Sequence, residues 1–320
     1  MFSFSKFAKP VLGAFAGLAL LSSAATIAAA ADAQTHVVFV THGQSGDPYW
    51  SVVKNGMDDA AKLLGVKAEY LAPETFDMAK MAQMIDAVTA SKPDGMVVSI
   101  PDEAAISGPV KAAVAAGIPV IVIDSGGAKL THDLGGLLFM GQDEFQAGVM
   151  AGEKIKALGL TKAVCANHEV GNSSLDDRCA GFAKGLGVAV PVMNGVTDPT
   201  EMKNRVIAYM NAHKDTQFIL AVGASGAEPM LAALDELGLA GKVKTGTFDL
   251  SPTILKATVD GKMEWGIDAQ QYAMGYIPIA MFDLWKKYKI SPIADYPTGP
   301  GFVTKDTAGA VIELSKQGKR

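Results

Sequence analysis

The sequence predicts an α/β chain built as two doubly wound parallel-sheet lobes, and three observations predict it. Short apolar runs alternate with helically spaced segments from His36 onward, the mark of parallel sheets with helices on both faces. The alternation runs as two similar series, the second beginning at Phe145. One sheet holding all the strands would be unusually large, so two sheets are expected. Finally, 49% of the 320 residues are apolar and 19% charged. That composition supports two buried cores and excludes general disorder.

The elements follow in order. His36–Val40 (HVVFV) is a buried strand. Val52, Val53, Met57, Ala60, Ala61 and Leu64 recur at helical spacing and predict a helix over 50–64. A strand over 68–71, a helix over 78–90 and a strand over 95–100 come next. The helix over 103–116 closes on Gly117, where a left-handed cap favours glycine. PVIVI at 119–123 is the fourth strand, and 137–140 continues extended. The second series reads as helix 145–158, strand 163–166, helix 175–186, strand 188–193, helix 200–212 and strand 218–222. A helix over 227–237, closed by Gly238, leads to strand 243–248. Ser251 as N-cap and Pro252 at the first helical position open a helix to residue 259. A strand over 265–267, a long helix over 270–287 interrupted by Pro278, and a Pro/Gly-rich extended tail over 296–304 follow.

Residues 1–33 read as a cleavable export signal. Lys6 and Lys9 precede an apolar run over 11–21, and small residues lead to Ala31-Asp32-Ala33. The run is too short to span a membrane, and it has no cysteine for a lipid anchor. Its removal takes Lys6, Lys9 and Asp32 from 28 basic and 33 acidic side chains, leaving a net charge of −6. No Lys/Arg run exceeds two residues, which argues against a nucleic-acid surface. The five histidines show no metal-ligand spacing. There is no G-x-S-x-G elbow, no P-loop and no dinucleotide fingerprint after the first strand, so neither an enzyme nor a cofactor is expected. Cys165 and Cys179, 14 apart in an exported chain, fit a disulfide between a strand end and the next helix. Two buried free thiols are the alternative.

In doubly wound sheets, ligands sit outside the carboxyl ends of the strands, so polar residues there carry the functional signal. The first series offers His42, Gln44, Asp47, Tyr49 and Trp50, then Asp124-Ser125. The second offers Asn167-His168-Glu169, Arg178, Gly223-Ala224-Ser225, Asp249, Asp268 and Gln270. Carboxylates and amides hydrogen-bond hydroxyl groups, and an aromatic ring covers the C–H face of a sugar. Each residue also has a structural reading: Asp47 as turn or helix cap, Tyr49 and Trp50 as core aromatics, Asp124 and Asp249 as caps. In that reading Arg178 is a surface charge, and His42 and His168 are structural histidines.

The segment Asp47-Pro48-Tyr49-Trp50 with Lys54-Asn55-Gly56 resembles the opening of the type I periplasmic sugar-binding proteins of ABC transporters, the ribose-binding-protein-like group. Gly117-Ile118-Pro119-Val120 leading to Asp124 is similar to that family. So are Gly141-Gln142-Asp143, Arg178 before Gly181-Phe182, Thr247-Phe248-Asp249 and Ile267-Asp268 before Gln270. The resemblance implies two lobes joined by a three-segment hinge: 34–141 plus 269–295, and 142–268 plus 296–320. It implies a periplasmic, monomeric protein that closes over a sugar or polyol and delivers it to a membrane permease. A ligand-presenting sensor on the same fold is the alternative. By match, Asp47, Tyr49, Trp50 and Asp124 would face the ligand from the first lobe, and Arg178, Asp249 and Gln270 from the second lobe and hinge. His42, Gln44, Ser125, Gln142, His168 and Asp268 are further candidates. The chain departs from the family where Ser125 replaces an arginine, where Gly223 stands for an asparagine, and where Ala269 takes the hinge glutamine's place. A ligand other than ribose is therefore expected.

Overall fold

The structure, a computed structural model, describes residues 34–43 and 47–320. The export signal and Gln44 lie outside them. The first series holds β1 (His36–Val40), α1 (Pro48–Leu64), β2 (Lys67–Leu71), α2 (Met78–Ser91), β3 (Gly95–Val98), α3 (Glu103–Ala115), β4 (Val120–Ile123), α4 (Gly127–Asp133) and β5 (Leu138–Gly141). The second holds α5 (Glu144–Ala157), β6 (Ala163–Asn167), α6 (Ser173–Leu186), β7 (Val192–Asn194), α7 (Pro199–Ala212), β8 (Phe218–Ala221), α8 (Ala224–Glu236), β9 (Lys244–Phe248), α9 (Pro252–Val259) and β10 (Trp265–Asp268). Then come α10 (Gln271–Tyr288), β11 (Tyr296–Pro297), β12 (Gly301–Thr304) and α11 (Lys305–Lys316).

Two sheets form, as the doubled pattern requires. Their orders are β11-β5-β4-β3-β1-β2 and β12-β10-β9-β8-β6-β7, parallel throughout except for β12 on β10. The orders match term by term, so β4 and β9 hold equivalent places, and each sheet reverses direction beside its first strand. Such a reversal leaves a crevice at the strand ends.

Helices cover both faces of each sheet. In the first lobe α1 and α10 bury Phe39, Val97, Ile121 and Met140 on one face, while α2 and α3 bury Val38, Val98 and Val122 on the other. In the second, α5 and α6 cover Cys165, Leu220 and Phe248, opposite α7 and α8. The helix after each sheet's fifth strand therefore crosses over: α5 leaves the first sheet to pack on the second, and α10 does the reverse. The third crossing lies over 298–300. Tyr296–Pro297 pairs with Met140–Gly141 in the first sheet, so the lobe boundary expected at 296 falls beyond β11.

Two helices exceed the sequence expectation. The α4 segment begins with Gly126 and Gly127 at positive φ and reads locally as a turn. The α11 segment places Ala308, Val311 and Ile312 against Leu250 and Leu255 near α9, a face only the fold supplies. The strand expected over 188–193 pairs from Val192. Gly187 caps α6 in the left-handed region, and Pro191 has no N–H for a ladder.

Cys165 and Cys179 are joined, tying β6 to α6. A second device fixes the start of α6. Gly148 and Gly152 of α5 face Gly181 and Gly185 of α6 so closely that a Cβ on Gly181 would strike the Phe145 carbonyl, and one on Gly148 the Arg178 carbonyl. This backbone approach sets Arg178 beside the first turn of α5. Gly181→Ala is expected to cost about 1–3 kcal/mol by overpacking, although alanine is the better helix former. Denaturant unfolding checks this, and an unchanged or raised midpoint would show that the seam can yield.

Candidate functional site

The crevices of the two sheets face one another across a cavity of about 730 Å³, within the range that holds small organic ligands. The first lobe contributes the loop after β1. There Asp47 caps α1: its Oδ1 accepts the N–H groups of Tyr49 at 2.8 Å and Trp50 at 3.3 Å. That cap turns Tyr49 and Trp50 inward, and both are buried. The Tyr49 hydroxyl donates to Asp124 Oδ1 at 2.6 Å. Burial, reinforced by Asp124, raises its pKa well above the ordinary value, so it stays a donor. His42 Nδ1 meets Ser99 Oγ at 2.8 Å, and its ring lies edge-on to Trp50 at 4.9 Å.

Asp124 and Asp249 end the equivalent strands β4 and β9. Both adopt left-handed backbone, with φ of 65° and 71°, conformations that short polar side chains tolerate. Asp249 is 4% exposed. Its Oδ2 accepts the Ala224 N–H at 3.2 Å, which caps α8 from outside, and its Oδ1 has no partner among the described residues. Burial pushes its pKa up to about 7; Arg178 opposes this and Asp124 adds to it.

Arg178 is 3% exposed. Its Nε and Nη2 grip Glu144 at 2.6 and 2.8 Å, and its Nη1 donates to the Val222 carbonyl at 2.7 Å. The guanidinium lies over the Phe248 ring at 4.4 Å. Burial works against its charge, but Glu144, with Asp249 and Asp124 adding to it, more than offsets burial and keeps the guanidinium protonated. Burial also pushes the Glu144 carboxyl up, and the two charge-assisted bonds oppose that shift. Three of the five guanidinium N–H groups are thus committed. His168 beside them has its pKa lowered to about 4 by burial and is neutral.

The lobes touch around this cavity. Ser225 donates to Asp47 Oδ2 at 2.5 Å. The Ser173 N–H and hydroxyl both donate to the Pro101 carbonyl, at 3.0 and 2.9 Å. His42 Nε2 lies 3.3 Å from Asn172 Nδ2 and 3.6 Å from Glu169.

A periplasmic binding protein domain matches residues 37–286. The chain belongs to the periplasmic binding protein family. The xylose/arabinose-binding protein XylF of Sulfolobus acidocaldarius is 25% identical over 299 residues, spanning 88% of this chain and 73% of that protein. A carbohydrate transporter protein of Acidothermus cellulolyticus 11B, solved with myo-inositol, superposes with a TM-score of 0.84 at 28% identity, covering 90% of this chain and all of the other. A periplasmic sugar-binding protein of Legionella pneumophila gives 0.77 at 28% identity, over 83% of this chain and 100% of that one. This is an extracytoplasmic family of binding and transport proteins, and the two-lobed fold is its type I architecture.

Among the residues singled out from sequence, this cavity gathers His42, Asp47, Tyr49, Trp50, Asp124, His168, Arg178 and Asp249. Four others stand off the cavity wall. Gln270 caps α10 and donates to the Thr298 carbonyl at 2.8 Å, joining two crossings. Asp268 Oδ1 accepts the Gln270 N–H, and its Oδ2 pairs with Arg320 at 2.5 Å. Gln142 donates to Glu144 at 2.9 Å. Ser125 is buried behind Asp124. The crossings engage Gln142, Asp268 and Gln270, while the Ser125 hydroxyl, outside them, has no partner among the described residues. Sequence reasoning missed Glu144, Asn172 and Phe76. Asn172 carries a readable signal, the N-cap before Ser173-Ser174. Phe76 is an aromatic in the polar loop after β2 and lines the cavity. Glu144 carries none, because its partner is 34 residues away.

The raised Asp249 pKa has a sign for stability. From about 4 to about 7 the folded carboxyl holds a proton that the unfolded one has lost, so its burial costs stability as pH rises through that window. In the ligand-free protein Asp249→Asn is therefore expected to be more stable relative to the parent at pH 8 than at pH 5, measured by denaturant unfolding. Parallel pH profiles would place the carboxyl in water.

Proposed function

We propose that this protein captures a sugar or a sugar-like polyol between its lobes and delivers it to an ABC transporter permease. The observation that supports this most is the pair Asp124 and Asp249. They reach one cavity from equivalent strand ends of opposite lobes, flanked by Arg178 and the Trp50 ring. A polyol offers what this set takes: hydroxyl donors for the carboxylates, hydroxyl acceptors for the remaining guanidinium N–H groups, and a C–H face for the indole. The sugar ligands of the relatives agree, XylF being a xylose/arabinose-binding protein and the Acidothermus protein holding myo-inositol. The crossings at 142–143, 268–270 and 298–300 serve as the hinge, and the cross-lobe contacts belong to its closed position. Export through residues 1–33 puts the monomer in the periplasm, where the Cys165–Cys179 disulfide persists. The protein binds its ligand without transforming it.

Calorimetry with xylose, arabinose and myo-inositol tests the reading. Asp124→Ala is expected to weaken binding by about 1.5–3 kcal/mol per lost charged hydrogen bond, roughly ten- to more than a hundred-fold. Trp50→Ala weakens it through lost ring contact. Retained affinity in both variants would sink the assignment, and a lower melting temperature with unchanged affinity would return both side chains to the core.

A further inference from the structure

The cavity wall is electronegative in a way that its sequence does not announce. Among the described residues six acidic side chains line it: Asp47, Glu74, Asp124, Glu169, Glu228 and Asp249. Two cations line it as well, Arg178 and Lys203. Each of them is already paired with a carboxylate that is not part of the wall. Arg178 is gripped by Glu144 at two points, and Lys203 holds Glu236 at 2.6 Å. The three loop residues outside the described set, Gln44, Ser45 and Gly46, bring no charge. His168 is neutral here.

The wall carboxylates differ in how they are satisfied. Glu228 accepts from Ser251, Glu169 from Asn172, Asp47 from Ser225 and Asp124 from Tyr49. Asp249 keeps one oxygen, Oδ1, buried without a partner among the described residues, although Asp124 and Asp47 both act on it through space. A buried carboxyl among like charges ionises only at a cost, which is why it keeps its proton up to about pH 7 when nothing cationic faces it. A cation placed there relieves it more than a neutral donor does, because a charge-assisted bond at low dielectric is the stronger.

Resting on the polyol reading above, we propose that the ligand is an amino-substituted sugar or cyclitol, its ammonium group set against Asp249 Oδ1 and its hydroxyls against the remaining wall groups. Arg178 does not recognise an anionic ligand in this arrangement, since Glu144 holds its charge. Uronic acids and phosphorylated sugars are therefore rejected, while the Trp50 face suits a ring that carries a positive charge.

Calorimetry in near-neutral, low-salt buffer tests this with matched probes: glucose, glucosamine and glucuronate on one scaffold, myo-inositol and its monoamino analogue on another. On whichever scaffold binds, the amino compound is expected to bind at least about ten-fold tighter than its neutral parent, and glucuronate more weakly than glucose. Asp249→Asn is expected to shrink the ratio of amino to neutral affinity, whatever it does to each alone. A neutral parent that equals or exceeds its amino analogue would overturn the inference and leave the polyol reading standing. So would a glucuronate that matches glucose. Failure of all five probes, and of xylose and arabinose, would overturn the polyol reading itself.

Discussion

The buried ion pair of Arg178 and Glu144 is the interaction on which the cleft depends. Glu144 opens α5 directly after the chain leaves the first sheet, and Arg178 sits one turn into α6, beneath the cavity. Their two bonds tie the first crossing to the floor of the site. Removing either partner of such a pair strands a charge away from water, typically at a cost of about 3–5 kcal/mol. The glycine seam between α5 and α6 lets the helices come close enough for the pair to form. The disulfide anchors the residue next to Arg178 to the sheet. Packing, covalent geometry and electrostatics thus converge on one guanidinium, which then presents its remaining N–H groups.

That convergence shapes the chemistry of the cavity. A guanidinium neutralised from behind orients a ligand without adding net positive charge. The aspartates at the two equivalent strand ends then set the sign of the site. The fold duplicates a strand-end position, and each copy supplies a carboxylate in left-handed backbone. A ligand held between them, as proposed above, would draw on both lobes at once and so couple binding to the contact of Ser225 with Asp47 and of Ser173 with Pro101. The C-terminal residues reinforce the back of the same arrangement. The Gly318 carbonyl accepts from Asn55 of α1 at 3.1 Å, and Arg320 pairs with Asp268 at the second crossing.

The sheets and most helices were legible because apolar period and capping residues act locally: Asp47, Ser251 and Gly117 sit at the helix ends their chemistry favours. The strand-end residues were legible for a topological reason, since a doubly wound sheet can offer a ligand only that rim. What stayed hidden was pairing at long range. Nothing local distinguishes Asp268, bound to Arg320, from Asp249, which faces the cavity; both stand at the end of a short strand. Nor does anything local tell Glu144 from the other acidic residues that open helices. The α11 helix was hidden because its apolar face has meaning only against α9. Asp47 takes the helix-cap reading, holding α1 with one oxygen, while its other oxygen accepts from Ser225 of the opposite lobe at the cavity.

A polyol bound between Asp124 and Asp249 is expected to close these lobes on one another. Small-angle scattering of the mature chain, alone and saturated with a polyol shown to bind, measures this directly. The radius of gyration is expected to fall with ligand, and the liganded profile to match the arrangement described above. A radius unchanged at saturation would contradict it.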